Sequence, residues 1–158
     1  MNEIRISKYD PKFRYNGNYM LDEWTDFSDI GKHFADGTLT PEKYLIVENN
    51  YISAILDIMI ESGVKSVIIG SFEQYSDTEW TNGQTVTIKQ LSDVIRDCLR
   101  NNCWCMLESE KFYIHFGYDF YVYIGCAISF IRVKQICEKR GLFVDNTKSP
   151  YKTTYLKR

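Results

Sequence analysis

An α+β fold, with a mostly antiparallel sheet carrying about three helices on one face, is predicted by three features of the sequence. Residues 112–124 (FYIHFGYDFYVYI) alternate strictly: every even position is apolar or aromatic, while the odd positions hold Tyr113, His115, Gly117, Asp119, Tyr121 and Tyr123. Period-two alternation marks a strand with one buried face. Residues 41–62, 88–100 and 126–140 instead repeat apolar side chains at helical spacing. The order strand, helices, strand, helix, hairpin, helix, strand lacks the regular strand–helix alternation of a parallel sheet, which leaves the antiparallel arrangement. The chain has 158 residues, 44% of them hydrophobic and 15% aromatic. That suffices for one well-packed domain over 1–158, with a polar C-terminal tail from about 147.

In chain order, residues 3–7 (EIRIS) read as a short edge strand, with Ile4 and Ile6 inward and Arg5 reaching water. Residues 8–24 show no periodicity but contain Asp10 before Pro11 and Asn16 before Gly17, both turn signals. Their six large apolar side chains imply a segment packed on the domain, either as a loop or as a hairpin turning at Asn16 and Gly17. Residues 25–34 read as a short helix weakened by Gly31. Thr40 then caps a helix with Pro41 in its first turn and Glu42 at the positive end of its dipole, running to Ser62 and stopped by Gly63. The β-branched run 64–70 reads as an interior strand covered on both faces, and 72–84 as a loop or loose hairpin arm. Thr87 and Gln90 form a capping box for the next helix. Residues 103–108 form a strand, joined by a short turn at 109–111 to the alternating segment. That segment is predicted to be one long strand, bent at Gly117, because its phase does not slip there. A helix over 126–140 stopped by Gly141 and a last strand at 142–145 complete the chain.

The net charge of −2 gives no overall field for capturing nucleic acid. The N-terminus lacks an apolar signal region, and the apolar-rich segment 44–60 is broken by Glu48, Asn49, Asn50 and Asp57. Five cysteines with no export signal read as reduced thiols, so a cytoplasmic location is expected. They lack zinc spacing, and no phosphate-binding loop, nucleophile elbow or metalloprotease motif occurs. No metal and no cofactor are therefore expected.

The candidate site is the odd face of the long strand. Tyrosine offers a large rigid contact area and a hydroxyl at low entropic cost, and is enriched at protein interfaces. Tyr113, His115, Asp119, Tyr121 and Tyr123 are thus the expected partner-binding residues. As an alternative, His115, Tyr113 and Asp119 would serve a nucleotide- or RNA-directed enzyme, with Arg5 or Lys8 on a phosphate. Yet four extended residues separate His115 from Asp119 by roughly 13 Å unless a bulge shortens the path. His33 is a second histidine that such an enzyme would need to bring close. A third reading is a non-catalytic homodimer formed through the tyrosine face.

The block Arg5-Ile6-Ser7-Lys8-Tyr9-Asp10-Pro11-Lys12-Phe13-Arg14, with Asp22-Glu23-Trp24-Thr25, Ser28-Asp29-Ile30-Gly31 and His115-Phe116-Gly117-Tyr118-Asp119, resembles small uncharacterised bacterial proteins, some similar to immunity partners of polymorphic toxins. The resemblance implies a protein partner such as a toxin domain, and assigns no active residue.

Overall fold

In the computed structural model, which describes residues 1–151, β1 (Asn2–Ser7) precedes two small ribbons, β2 (Arg14–Tyr15) with β3 (Asn18–Tyr19) and β4 (His33–Phe34) with β5 (Gly37–Thr38). There follow α1 (Pro41–Glu61), β6 (Ser66–Gln74), β7 (Thr85–Thr87), α2 (Ile88–Leu99), β8 (Cys103–Ser109), β9 (Phe112–Phe116), β10 (Val122–Cys126), α3 (Phe130–Glu138) and β11 (Phe143–Asp145). Seven strands pair antiparallel in the order β11-β1-β10-β9-β8-β6-β7. The fold is α+β and mostly sheet, as the sequence predicts.

Alternate side chains of the sheet, including Ile4, Ile6, Ile69, Leu107, Ile114 and Ile124, are sealed from solvent and form one cluster with the apolar stripes of α1, α2 and α3. At the end of this core, Glu48 of α1 is fully buried. Its carboxylate accepts from Arg100 at 2.7 and 2.8 Å and from the Tyr44 hydroxyl at 2.6 Å, so the burial of its charge is offset. Helix boundaries follow their caps: Thr40 Oγ1 accepts from the Lys43 amide at 3.2 Å, and Gly63 takes φ +72° after the last turn of α1.

Several expectations are corrected. The alternating segment is not one strand: β9 and β10 pair with each other across a tip at 117–121. β1 is interior, flanked by β10 and β11, and Arg5 meets Asp145 at 2.8 Å instead of water. β6 is hydrogen-bonded on both edges but not covered on both faces, since Ile68 remains 40% exposed. Residues 25–34 give only a 3-10 turn, Phe27–Asp29, capped by Asp26, because Gly31 at φ +94° diverts the chain into the second ribbon. The last helix begins at Phe130 rather than 126, where Ser129 accepts from the Arg132 amide at 3.2 Å. Of the two readings of residues 8–24, the hairpin is present: β2 and β3 turn at Asn16 (φ +50°) and Gly17 (φ +79°). Lys8 fastens this region, paired with Glu23 at 3.2 Å and lying 4.2 and 4.1 Å from the Tyr9 and Trp24 ring centres; burial lowers its pKa. The polar tail predicted from about 147 is described only to Tyr151.

Candidate functional site

The hairpin divides the five predicted site residues. Tyr113 and His115 of β9, and Tyr123 of β10 directly across from His115, stay on the face opposite the helices, whereas Asp119 and Tyr121 leave it for the tip. Tyr113 and His115 are 1% and 0% exposed, which corrects their assignment to an accessible surface. The chain after β11 packs on His115 through Ser149 and Tyr151. His115 stacks on Tyr113 with ring centres 4.3 Å apart, and Tyr113 donates to Glu3 at 3.0 Å. His115 Nε2 lies 2.8 Å from Glu108 and Nδ1 lies 2.7 Å from Ser149 Oγ. A neutral ring with its proton on Nε2 satisfies the whole set: Nε2 donates to Glu108, the Ser149 hydroxyl donates to Nδ1, and Ser149 Oγ accepts from the Tyr151 amide at 3.1 Å. The serine, histidine and glutamate resemble a hydrolytic triad in contacts alone, because His115 has no surface open to a substrate. Gly125 makes the arrangement possible, since the Tyr113 ring lies over its backbone.

The groups considered for enzymatic work are also apart in role. Arg5 and Lys8 are committed to Asp145 and Glu23. His33 lies in the second ribbon, its Nδ1 3.3 Å from Thr38 Oγ1. Tyr121 is half-buried; Arg14 donates to its hydroxyl, and the Arg5 guanidinium lies 4.5 Å from its ring centre. Cys98 lies 3.8 and 3.6 Å from the sulfurs of Cys103 and Cys105; those contacts and then burial push its thiol well above the ordinary range. Among the described residues no group of histidine, cysteine and carboxylate side chains could hold a metal ion, and no helix is long and apolar enough to cross a membrane.

What the alternation conceals is the tip. Asp119 and Phe120 take φ +57° and +66°, two successive non-glycine residues in the left-handed region, which costs about 1–2 kcal/mol each. The surroundings hold them there. Tyr9 donates to the Asp119 carbonyl at 2.6 Å and Tyr51 donates to the Phe120 carbonyl at 2.8 Å. Gly117 N–H donates to the Tyr121 carbonyl at 2.9 Å. The Phe120 ring is buried against Trp24 and Tyr51, each 5.1 Å away between centres. The outcome is that Tyr118 stands 88% exposed on a fixed backbone.

Beside Tyr118 lies a cleft of about 250 Å³ lined by Glu73, Tyr75, Trp104, Phe116 and Tyr151 among others. Its floor is set by a bulge. β6 pairs Gly70 with Met106 but Glu73 with Trp104, an extra residue that takes up Ser71 at φ +50°. Without it Phe72 would stand opposite Trp104; with it Glu73 does. The indole N–H donates to the Phe116 carbonyl at 2.9 Å, and the Tyr151 ring lies 5.1 Å from the Trp104 ring, tilted by 55°. Tyr75 donates to Glu73, and that bond, with some burial, pushes its phenol up to about 12. Sequence reasoning missed Tyr118, Glu73, Tyr75 and Tyr151. It also missed Trp104, and nothing in the sequence joins these five residues. No protein-family model, curated protein or solved structure matches the chain.

Proposed function

We propose that the chain is a cytoplasmic protein-binding domain of the immunity type, which occludes a partner enzyme such as a toxin domain with the β9–β10 tip. The observation that carries the reading is Tyr118, 88% exposed and presented by a backbone held in the left-handed region. A fully exposed aromatic ring on a strained, over-determined loop suits a binding anchor, because little entropy remains to be lost on docking. The surface replaces the stripe expected from the sequence: Asp119 remains at its rim, Tyr121 braces it from behind, and Tyr113, His115 and Tyr123 belong to the sheet beneath the C-terminal segment. The likeness of the N-terminal block to immunity-type proteins supports an enzyme as the partner.

The test is direct. The chain is co-purified with the product of the gene immediately upstream of its own, and any enzymatic activity of that product is followed. Wild type is expected to form a complex and to suppress activity. Tyr118→Ala is expected to weaken the complex at least tenfold with an unchanged melting temperature, as for a central aromatic anchor. Equal binding by the variant removes the tip as the surface, and absence of both binding and inhibition by wild type removes the reading.

A further inference from the structure

We propose that the cleft formed by Glu73, Tyr75, Trp104, Tyr118 and Tyr151 binds a guanidinium group, an arginine side chain presented by the protein partner. The inference rests on the protein-binding reading and names the chemistry that its surface would recognise.

Three observations point to this ligand. The walls are aromatic: Trp104 and Tyr151 meet at 55° with centres 5.1 Å apart, and Tyr75 and Tyr118, 59% and 88% exposed, stand at the mouth. The electron-rich faces of Trp and Tyr attract a cation placed over them, and a planar guanidinium stacks there better than a compact ammonium. The floor supplies a carboxylate: the bulge in β6 sets Glu73 opposite Trp104, and among the described residues no lysine or arginine pairs with it. The Tyr75 hydroxyl already donates to Glu73 and fixes it toward the cleft, leaving further acceptor capacity for a bidentate donor. Finally, the sign of charge is uniform. Among the described residues no basic side chain lines this cleft or the adjoining one on the other side of Tyr118, where Asp26 and Asp119 contribute further carboxylates. A neutral apolar ligand would leave Glu73 without a counter-ion, and an anion would be repelled. The walls are also rigid. Trp104 is tied to the Phe116 carbonyl and Tyr151 N–H to Ser149 Oγ, so the cleft exists before a ligand arrives.

The experiment titrates the full chain with N-acetyl-L-arginine amide and follows the Trp104 indole N–H by NMR. N-acetyl-L-citrulline amide, alike in shape but uncharged, and N-acetyl-L-lysine amide serve as comparison ligands. A saturable shift with a dissociation constant on the order of 1–10 mM is expected, as befits a single side chain. Citrulline amide is expected to bind at least fivefold more weakly, and lysine amide to fall between them. Glu73→Gln should weaken arginine binding about fivefold, and Tyr75→Ala, which removes a largely exposed ring without touching the core, about threefold. Equal responses to arginine and citrulline amides, or no saturable response in wild type, overturn the proposal. The two readings fail separately. A Tyr118-dependent partner complex with no arginine response removes only the guanidinium site. An arginine response with a complex indifferent to Tyr118→Ala removes only the docking surface.

Discussion

Gly125→Ala tests the packing on which the hidden site residues depend. A Cβ at this position would lie 2.3 and 2.5 Å from two carbons of the Tyr113 ring and 2.6 Å from the Met1 sulfur. Met1 is half exposed and can swing away, but Tyr113 cannot: it is sealed, stacked on His115 at 4.3 Å and bonded to Glu3 at 3.0 Å. Overpacking of this kind costs roughly 1–3 kcal/mol, which in a chain of this size lowers the melting temperature by roughly 3–10 °C. Thermal and urea unfolding followed by circular dichroism measure it. The double variant is the sharper readout. Tyr113→Ala alone should cost about 3–5 kcal/mol as a large-to-small change. In the Gly125→Ala background the same change also relieves the clash, so the two costs should fall short of additivity by about 1 kcal/mol or more. A Gly125→Ala variant that melts within about 1 °C of wild type, or strict additivity, would refute the claim that Tyr113 is pinned over this glycine.

Two further outcomes concern the same face and the phenols. His115 of wild type should resist diethyl pyrocarbonate, whereas Ser149→Ala combined with Tyr151→Ala should open it to modification; the loss of the Ser149 bond alone is worth about 1–2 kcal/mol in urea unfolding. Burial raises the phenol pKa of Tyr9, Tyr44, Tyr51 and Tyr113 above the ordinary value of 10, so the neutral forms are favoured in the folded chain. Their contribution is complete below pH 10 and is lost as pH rises through the raised folded values. Phenolate absorbance from these four rings should therefore appear only in a late cooperative step coincident with loss of circular dichroism; their ionisation while the circular dichroism of the folded chain persists would contradict this.

Much of the fold is legible because local signals decide it. Thr40 before Pro41, Gly63 after α1, and Thr87 paired with Gln90 each satisfy or terminate a helix within a few residues, and each acts as read. Elements whose fate depends on distant partners were not legible. Nothing near residues 3–7 shows that β11 will cover that edge 140 residues later, or that Arg5 will find Asp145. The site suffered most, since it draws on the bulge of β6, the middle of β8, the β9–β10 tip and Tyr151. Trp104 faces outward between two core cysteines, and its companions come from segments that only the sheet order makes neighbours.

The missed hairpin has a more specific cause, parity. β8 and β9 pair Ser109 with Phe112, so odd positions of one lie beside even positions of the other, and the apolar phase reverses across their two-residue turn. β9 and β10 pair Phe116 with Val122, so even lies beside even, and a five-residue tip carries the phase through without a slip. Unbroken alternation therefore does not separate one long strand from a hairpin with an odd-numbered loop. Deletions at the tip follow the same rule. Removing Tyr118 alone leaves four residues and forces β10 to shift by one, turning Val122, Ile124 and Cys126, all fully buried, toward the outer face. Exposing them costs roughly 5–8 kcal/mol, comparable to the whole stability of a typical domain. Removing Tyr118 and Asp119 together leaves Gly117, Phe120 and Tyr121, an odd loop that keeps the register. The larger deletion should retain a cooperative melt and the smaller should not. A single-residue deletion that folds as well as the double one would show that register here is set by something other than the buried face of β10.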